Sequence, residues 1–194
     1  CATRGVEPQI RTVLDPACGD GRFLAAARDL LGTDVALTGV DVDEVAAGAA
    51  RASLPDARVV HADALARDWG DERFDLVIGN PPFLNQLAAA TSRGGRSRFG
   101  GGPYADVAAE FLALAVRLAR PDGGRVALVL PQSLLTARDA SAIRADLIAG
   151  DDAARGQARD IGAILLQGLG QSPSSPLRSV AIRAIFDLLR HPLS

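Results

Sequence analysis

A chain of 194 residues, 48% hydrophobic and 23% charged, has the composition of an ordinary soluble globular protein and can bury one substantial core. A net charge of −2 excludes a global electrostatic attraction to nucleic acid, so any such contact needs a local patch. No apolar run approaches the roughly 20 residues that span a bilayer, no signal-peptide pattern opens the chain, and two cysteines, Cys1 and Cys18, fit a reducing cytoplasm better than a disulfide scaffold. All 21 basic residues are Arg, which reads as compositional bias. With no Met anywhere, the first position included, the chain is expected to be a segment of a longer product.

Short apolar runs alternate with Ala-rich helical stretches, the pattern of an α/β protein with a mostly parallel, doubly wound sheet. In chain order, the pattern predicts strand Arg11–Asp15, helix Gly21–Leu31, strand Val35–Asp41, helix Asp43–Ser53, and strands Ala57–His61 and Phe74–Gly79. Residues Thr91–Pro103, with five glycines, three arginines and no periodicity, read as a long mobile loop. Helix Ala105–Arg120 follows, with Ala108, Phe111, Leu112, Ala115 and Leu118 on one face, and stops at the breaker "RPDGG". Strand Arg125–Leu130 and helix Ser133–Ala149 complete a core over residues 1–150. Residues 151–194 form an extension that completes or flanks the sheet: Ile161–Leu166 suits a strand, and Val180–Leu189 mixes strand and helix periodicity with a slight lean to helix.

Open parallel sheets bind ligands at the carboxyl ends of their strands, and four of these ends carry chemistry. The first strand runs into "DPACGDG", where glycines permit close backbone approach and the helix start attracts an anion; a plain strand-to-helix turn has the same residues. A dinucleotide fingerprint would need glycine where Leu24 stands, which argues against NAD. Asp41 in "GVDVDE" ends the second strand, as an acceptor for two ribose hydroxyls or as a helix-capping acid, with Asp43 the better candidate for the cap. Asp63 in "HADAL" is either an acceptor for an adenine amine, with Ala64 and Leu65 lining its ring, or an acid of a surface turn. His61 reads as structural. The fourth strand stops in Asn80-Pro81-Pro82-Phe83, rigid, nearly free of donors and topped by a ring.

Together, "DPACGDGRFL", "GVDVDE", "HADAL" and "NPPF" resemble the class I S-adenosylmethionine-dependent methyltransferases, specifically the amino-methylating branch typified by adenine-N6 DNA methyltransferases. The motifs stand in that family's order and spacing, and the resemblance runs roughly from residue 11 to residue 149. It implies a Rossmann-like methyltransferase fold and S-adenosyl-L-methionine as cofactor, with no metal. Asp15, Ala17, Gly19 and Gly21 would lie against the methionine moiety, Asp41 would hold the ribose, and Asp63 and Ala64 the adenine. It also implies that the Asn80 side-chain oxygen and the Pro81 carbonyl accept hydrogen bonds from the target amine while Pro82 stiffens the turn and Phe83 offers a stacking face.

The implied substrate is adenine N6 in DNA, in a cytoplasmic restriction-modification setting. Arg93, Arg96 and Arg98 would then meet the DNA backbone, unless they belong to a solvated loop, and Tyr104 would add a second stacking surface. Guanine N2 in ribosomal RNA, the glutamine amide of a release factor, and a non-catalytic methyltransferase-like subunit that binds nucleic acid or a partner are the alternatives. Residues 1–10 do not supply the Thr-Pro segment usual before the family's first strand, and the tail after Gly150 is too short for a target-recognition domain. A separate specificity subunit or domain is therefore expected, as is an antiparallel strand pair closing the sheet.

Overall fold

A computed structural model describes residues 10–82 and 107–130, and the backbone course of 160–165. Its elements are β1 (Thr12–Asp15), α1 (Arg22–Leu31), β2 (Ala36–Asp41), α2 (Glu44–Ser53), β3 (Arg58–His61), β4 (Leu76–Gly79), α3 (Val107–Leu118), β5 (Arg125–Leu130) and β6 (Asp160–Leu165). Every strand and helix expected within these residues is present, within about two residues at each end. The expected helix Ser133–Ala149, the ambiguous Val180–Leu189 and the loop Thr91–Pro103 lie outside the described residues.

The six strands form one sheet in the order β3-β2-β1-β4-β5-β6, and every pairing is parallel. The chain lays down β1, β2 and β3 in one direction, then returns to β1 and builds β4, β5 and β6 in the other. The resulting switch point lies between β1 and β4, where Val13 pairs with Leu76 and Leu14 with Val77. β6 runs parallel to β5 over six residues, from Arg125–Asp160 to Leu130–Leu165. Its expected partner strand falls outside the described residues.

Strand side chains alternate between two apolar layers, as the period of two demands. Leu14, Val77, Val126 and Leu128 pack on one face with α3, Trp69 and Phe74. Val13, Leu76, Ile78, Ala127 and Val129 pack on the other with Phe23, Leu24 and Ala27 of α1 and Ala50 of α2. With both faces covered, the strands read as continuous hydrophobic runs rather than as an alternation with polar residues. Helix α3 is buried more widely than its predicted face: Ala109, Glu110 and Leu114 are buried beside Ala108, Phe111, Leu112, Ala115 and Leu118. In the loop before β4, Trp69 donates its indole N–H to the Ala64 carbonyl at 2.9 Å and meets Phe74 edge-on at 6.2 Å. Trp69 and Phe74 thus anchor the β3–β4 connection.

Candidate functional site

Beyond β1 the chain turns through Asp15–Gly21 in a loop fixed by its own backbone. The Cys18 N–H donates to the Val40 carbonyl at 3.0 Å, and the Gly21 N–H to the Cys18 carbonyl at 2.9 Å. Gly19 and Gly21 hold φ of 55° and 86°, values that favour glycine, and Gly21 caps α1 without any side chain. A Cβ on Gly21 would come within 3.1 Å of the Ala50 Cβ, so the loop lies tight against α2.

Asp41, at the end of β2, ties this loop to its own turn. Its Oδ2 accepts from the Gly19 N–H at 2.6 Å and its Oδ1 from the Asp43 N–H at 2.9 Å. Asp43 is the N-cap of α2, accepting from the Val45 and Ala46 N–H groups. Asp41 therefore does not cap the helix. With one bond on each oxygen, it keeps lone pairs for further donors.

At the end of β3, Asp63 accepts the Leu65 N–H on Oδ1 at 3.0 Å, a local turn of the kind expected of a surface acid. Ala64 and Leu65 are buried just beyond it. His61, expected to be structural, has its Nε2 3.1 Å from the Val42 carbonyl and so pins the β2 and β3 ends together.

The end of β4 comes up against the β1 loop. Asp15 is buried; Oδ1 accepts from the Ala17 N–H at 3.1 Å, while Oδ2 is sealed and finds no hydrogen-bond partner among the described residues. Burial raises the Asp15 carboxyl to about 8, reinforced by the charge of Asp41 and opposed by the Ala17 N–H. The same surroundings push the Cys18 thiol up, through burial first and then the carboxylates of Asp15 and Asp41. Gly79 lies so close that a Cβ on it would stand 2.7 Å from Asp15 Oδ1. Next in the chain, half-buried Asn80 carries a second sealed oxygen, Oδ1, with no hydrogen-bond partner among the described residues. Pro81 is buried and Pro82 exposed.

The sheet edge thus gathers Asp15, Ala17, Gly19, Gly21, Asp41, Asp63, Ala64, Asn80 and Pro81 at the ends of four strands. Phe83, Arg93, Arg96, Arg98 and Tyr104 lie outside the described residues. Sequence reasoning gave Gly79 no part. The only available signal was a glycine directly before Asn80, and its meaning depends on β4 lying beside β1. Among the described residues, no three His, Cys, Asp or Glu side chains could together hold a metal ion, and no helix is long and apolar enough to cross a membrane.

A family model described as "Methyltransferase domain" matches residues 13–93, a span that contains β1 to β4 and the Asn80-Pro81-Pro82-Phe83 turn. The type II methyltransferase M.TthHB8I of Thermus thermophilus is 32% identical in a 160-residue alignment that covers 72% of this chain and 34% of that protein. The type II methyltransferase M.CvrRI of Paramecium bursaria Chlorella virus XZ-6E is 29% identical over 126 residues, 65% of this chain and 31% of that protein. Among solved structures, a Listeria monocytogenes protein described as a class I S-adenosylmethionine-dependent methyltransferase superposes with a TM-score of 0.58 at 21% identity. That superposition covers 74% of this chain and 46% of the other, and shows a shared fold. Residues 13–93 thus match a methyltransferase domain, and the described residues share the fold of a class I S-adenosylmethionine-dependent methyltransferase.

The chain spans about a third of the length of the curated relatives it matches. The residues at the sheet edge suit S-adenosyl-L-methionine chemically. The buried Asp15 oxygen, unpartnered among the described residues, fits a cationic end, the spare lone pairs of Asp41 fit a diol, and the Gly19–Gly21 turn admits a ligand close to backbone.

Proposed function

We propose that this methyltransferase moves the methyl group of S-adenosylmethionine onto an exocyclic amine, adenine N6 in DNA. The observation that carries the reading is Asn80 Oδ1: a sealed side-chain acceptor without a partner, one residue beyond the glycine that touches Asp15. A buried acceptor left unmade is expensive, by roughly 1–3 kcal/mol, and a ligand N–H at this place would satisfy it. The DNA part of the reading is supported by the names of the two type II methyltransferases and by the Asn80-Pro81-Pro82-Phe83 sequence.

An exocyclic amine is a poor nucleophile because its lone pair is delocalised into the ring. Asn80 Oδ1 and the Pro81 carbonyl, accepting its two hydrogens, favour a pyramidal nitrogen with the lone pair turned towards the methyl group. Pro81 and Pro82 fix φ and remove competing donors, which keeps both acceptors aimed. Phe83 stacks on the flat base, worth roughly 1–3 kcal/mol. On the other side, Asp15, Ala17, Gly19 and Gly21 hold the methionine moiety, Asp41 the ribose, and Asp63 and Ala64 the adenine. The bound cofactor supplies the electrophilic methyl group. Alignment of nitrogen and methyl contributes on the order of 7–11 kcal/mol. No strong base is required, since methylation acidifies the nitrogen and its proton leaves to water.

A base in duplex DNA must leave the stack to reach Asn80, at a cost of a few kcal/mol. Arg93, Arg96 and Arg98 offset this on the DNA backbone, Tyr104 adds a second stacking face, and a separate specificity domain or subunit chooses the sequence. The setting is a cytoplasmic restriction-modification system.

Radiolabelled methyl transfer to unmodified genomic DNA, ribosomal RNA and release factor, assayed side by side, tests the reading. Label in adenine N6 of DNA is expected. Label in guanine N2 of RNA or in the glutamine amide would replace the substrate and keep the chemistry. Asn80→Ala should abolish transfer and leave cofactor affinity within about threefold. Equal loss of both would remove Asn80 from the role given to it.

A further inference from the structure

Asp15 is held in a setting that suits an acid better than a carboxylate. Its one hydrogen bond comes from the Ala17 N–H, and Oδ2 has none. The charged and titratable groups around it do not neutralise it. From β2 it faces the carboxylate of Asp41, and from its own loop the Cys18 thiol, itself pushed up by burial and by both acids. In the first turn of α1, Arg22 is engaged with Asp20 at 2.8 Å on the surface. From β4 it lies against the neutral Gly79. Among the described residues no Arg forms an ion pair with Asp15. Its position is set by contact: a Cβ at Gly79 would stand 2.7 Å from Oδ1 and 3.3 Å from Cγ.

We propose that Gly79 is a positioning residue for cofactor recognition: its bare Cα seats Asp15 against β4 with Oδ2 kept for a ligand, so that Asp15 stands as the acid and releases a proton when a ligand ammonium arrives. The O–H bond of Asp15 breaks, the proton passes to solvent, and the carboxylate left behind pairs with the ammonium. The inference rests on the reading that Asp15 faces the methionine end of the cofactor, and goes beyond it by adding Gly79 and the proton. Gly79 touches no ligand in this scheme. It acts through Asp15, the far end of whose side chain is what an added methyl would push aside.

Calorimetry with S-adenosylhomocysteine, which keeps the ammonium and lacks the transferable methyl, tests this without any turnover. It is run in two buffers of different ionisation enthalpy at about pH 6.5, where an α-amino group is protonated. The wild type should release close to one proton per ligand bound. Asp15→Asn should release none and bind at least about tenfold more weakly. Gly79→Ala should also bind at least about tenfold more weakly, yet lose less than about twofold when placed in the Asp15→Asn background. A merely structural Gly79 would lower affinity equally in both backgrounds, and that result overturns the proposal, as does binding by the wild type without proton release.

The φ of +156° at Gly79 burdens any side chain, so a fold-safe measurement is added. In the unsubstituted protein, the Gly79 α-proton resonances should titrate together with the Asp15 carboxyl between about pH 6 and 10 and cease to do so with S-adenosylhomocysteine bound. Invariant Gly79 resonances over that range overturn the proposal even if Gly79→Ala cannot be folded. Absence of any binding at millimolar ligand would remove the Asp15 reading together with the inference. Binding without proton release removes only the inference.

Discussion

At the carboxyl end of β1, Asp15 takes one backbone hydrogen bond and keeps a bare, buried oxygen. At the amino edge of the same sheet, Asp75 accepts from the Arg11 N–H, the Thr12 N–H and the Thr12 hydroxyl at 2.8–3.0 Å, and pairs with Arg120 at 2.8 Å. Thr12 reciprocates, its Oγ1 accepting the Asp75 N–H. Partial burial works against the charge on Asp75, but the Arg11 N–H, Thr12 and Arg120 together hold its carboxyl below the usual range. One aspartate clamps β1 to β4, and the other keeps an oxygen without a hydrogen-bond partner among the described residues, at the end of the strands proposed to meet the cofactor. The contrast shows how one pair of neighbouring strands separates two duties: the amino edge spends its polar groups on each other, and the carboxyl edge keeps them for something else.

The comparison can be broken first at its stable end. Asp75→Ala orphans three donors and a guanidinium, and should lower unfolding free energy by about 2–4 kcal/mol in urea. The ion pair adds little, because the Arg120 side chain is half exposed. Affinity for S-adenosylhomocysteine in the folded fraction should stay within about twofold. A large loss of affinity would mean that the two ends are not separate.

A pH series sharpens the same contrast. Unfolded Asp15 titrates near 3.8 and folded Asp15 at about 8, so between these values the native state holds the extra proton. Stability contributed by Asp15 is therefore full below the lower value and is lost as pH rises towards the upper, with a slope of at most roughly 1.4 kcal/mol per pH unit. Asp75, with its pKa lowered, behaves oppositely: its contribution is present above 3.8 and is lost as pH falls through its folded value. Melts of Asp15→Asn should lack the decline between about pH 4 and 8 and keep the acid-side loss. The smallest effect is expected at Asp43, a site-edge residue with the duty of Asp75. Asp43→Ala should cost about 1 kcal/mol in the same melts through the lost helix cap, without altering the proton released on ligand binding.

Most of this architecture was legible in the chain. Periodicity located β1 to β5, α1, α2 and α3, because both faces of a parallel sheet are buried and its strands stand out as apolar runs. Asp43 was correctly read as the cap of α2, since capping preference is local chemistry. What escaped was what depends on neighbours far apart in sequence. The Asp75–Thr12 clamp joins residues 63 positions apart. The Gly79–Asp15 contact exists because β4 returns to lie beside β1. The parallel seat of β6 against β5 follows from sheet order, which no run of residues announces. The turn at Asp63 was one of the two readings its sequence allowed, and its bond from the Leu65 N–H forms that turn.

The position of β1 between β2 and β4 also bears on how the molecule assembles. Its site draws on loops that come together only when the chain has doubled back across the sheet, so a half-folded intermediate has no half-strength pocket. Closing those long-range pairings is slow, because chain entropy is lost before the contacts repay it. A ligand that needs the finished edge has nothing to grip on the way in. It should leave the refolding rate nearly unchanged and act as a brake on unfolding.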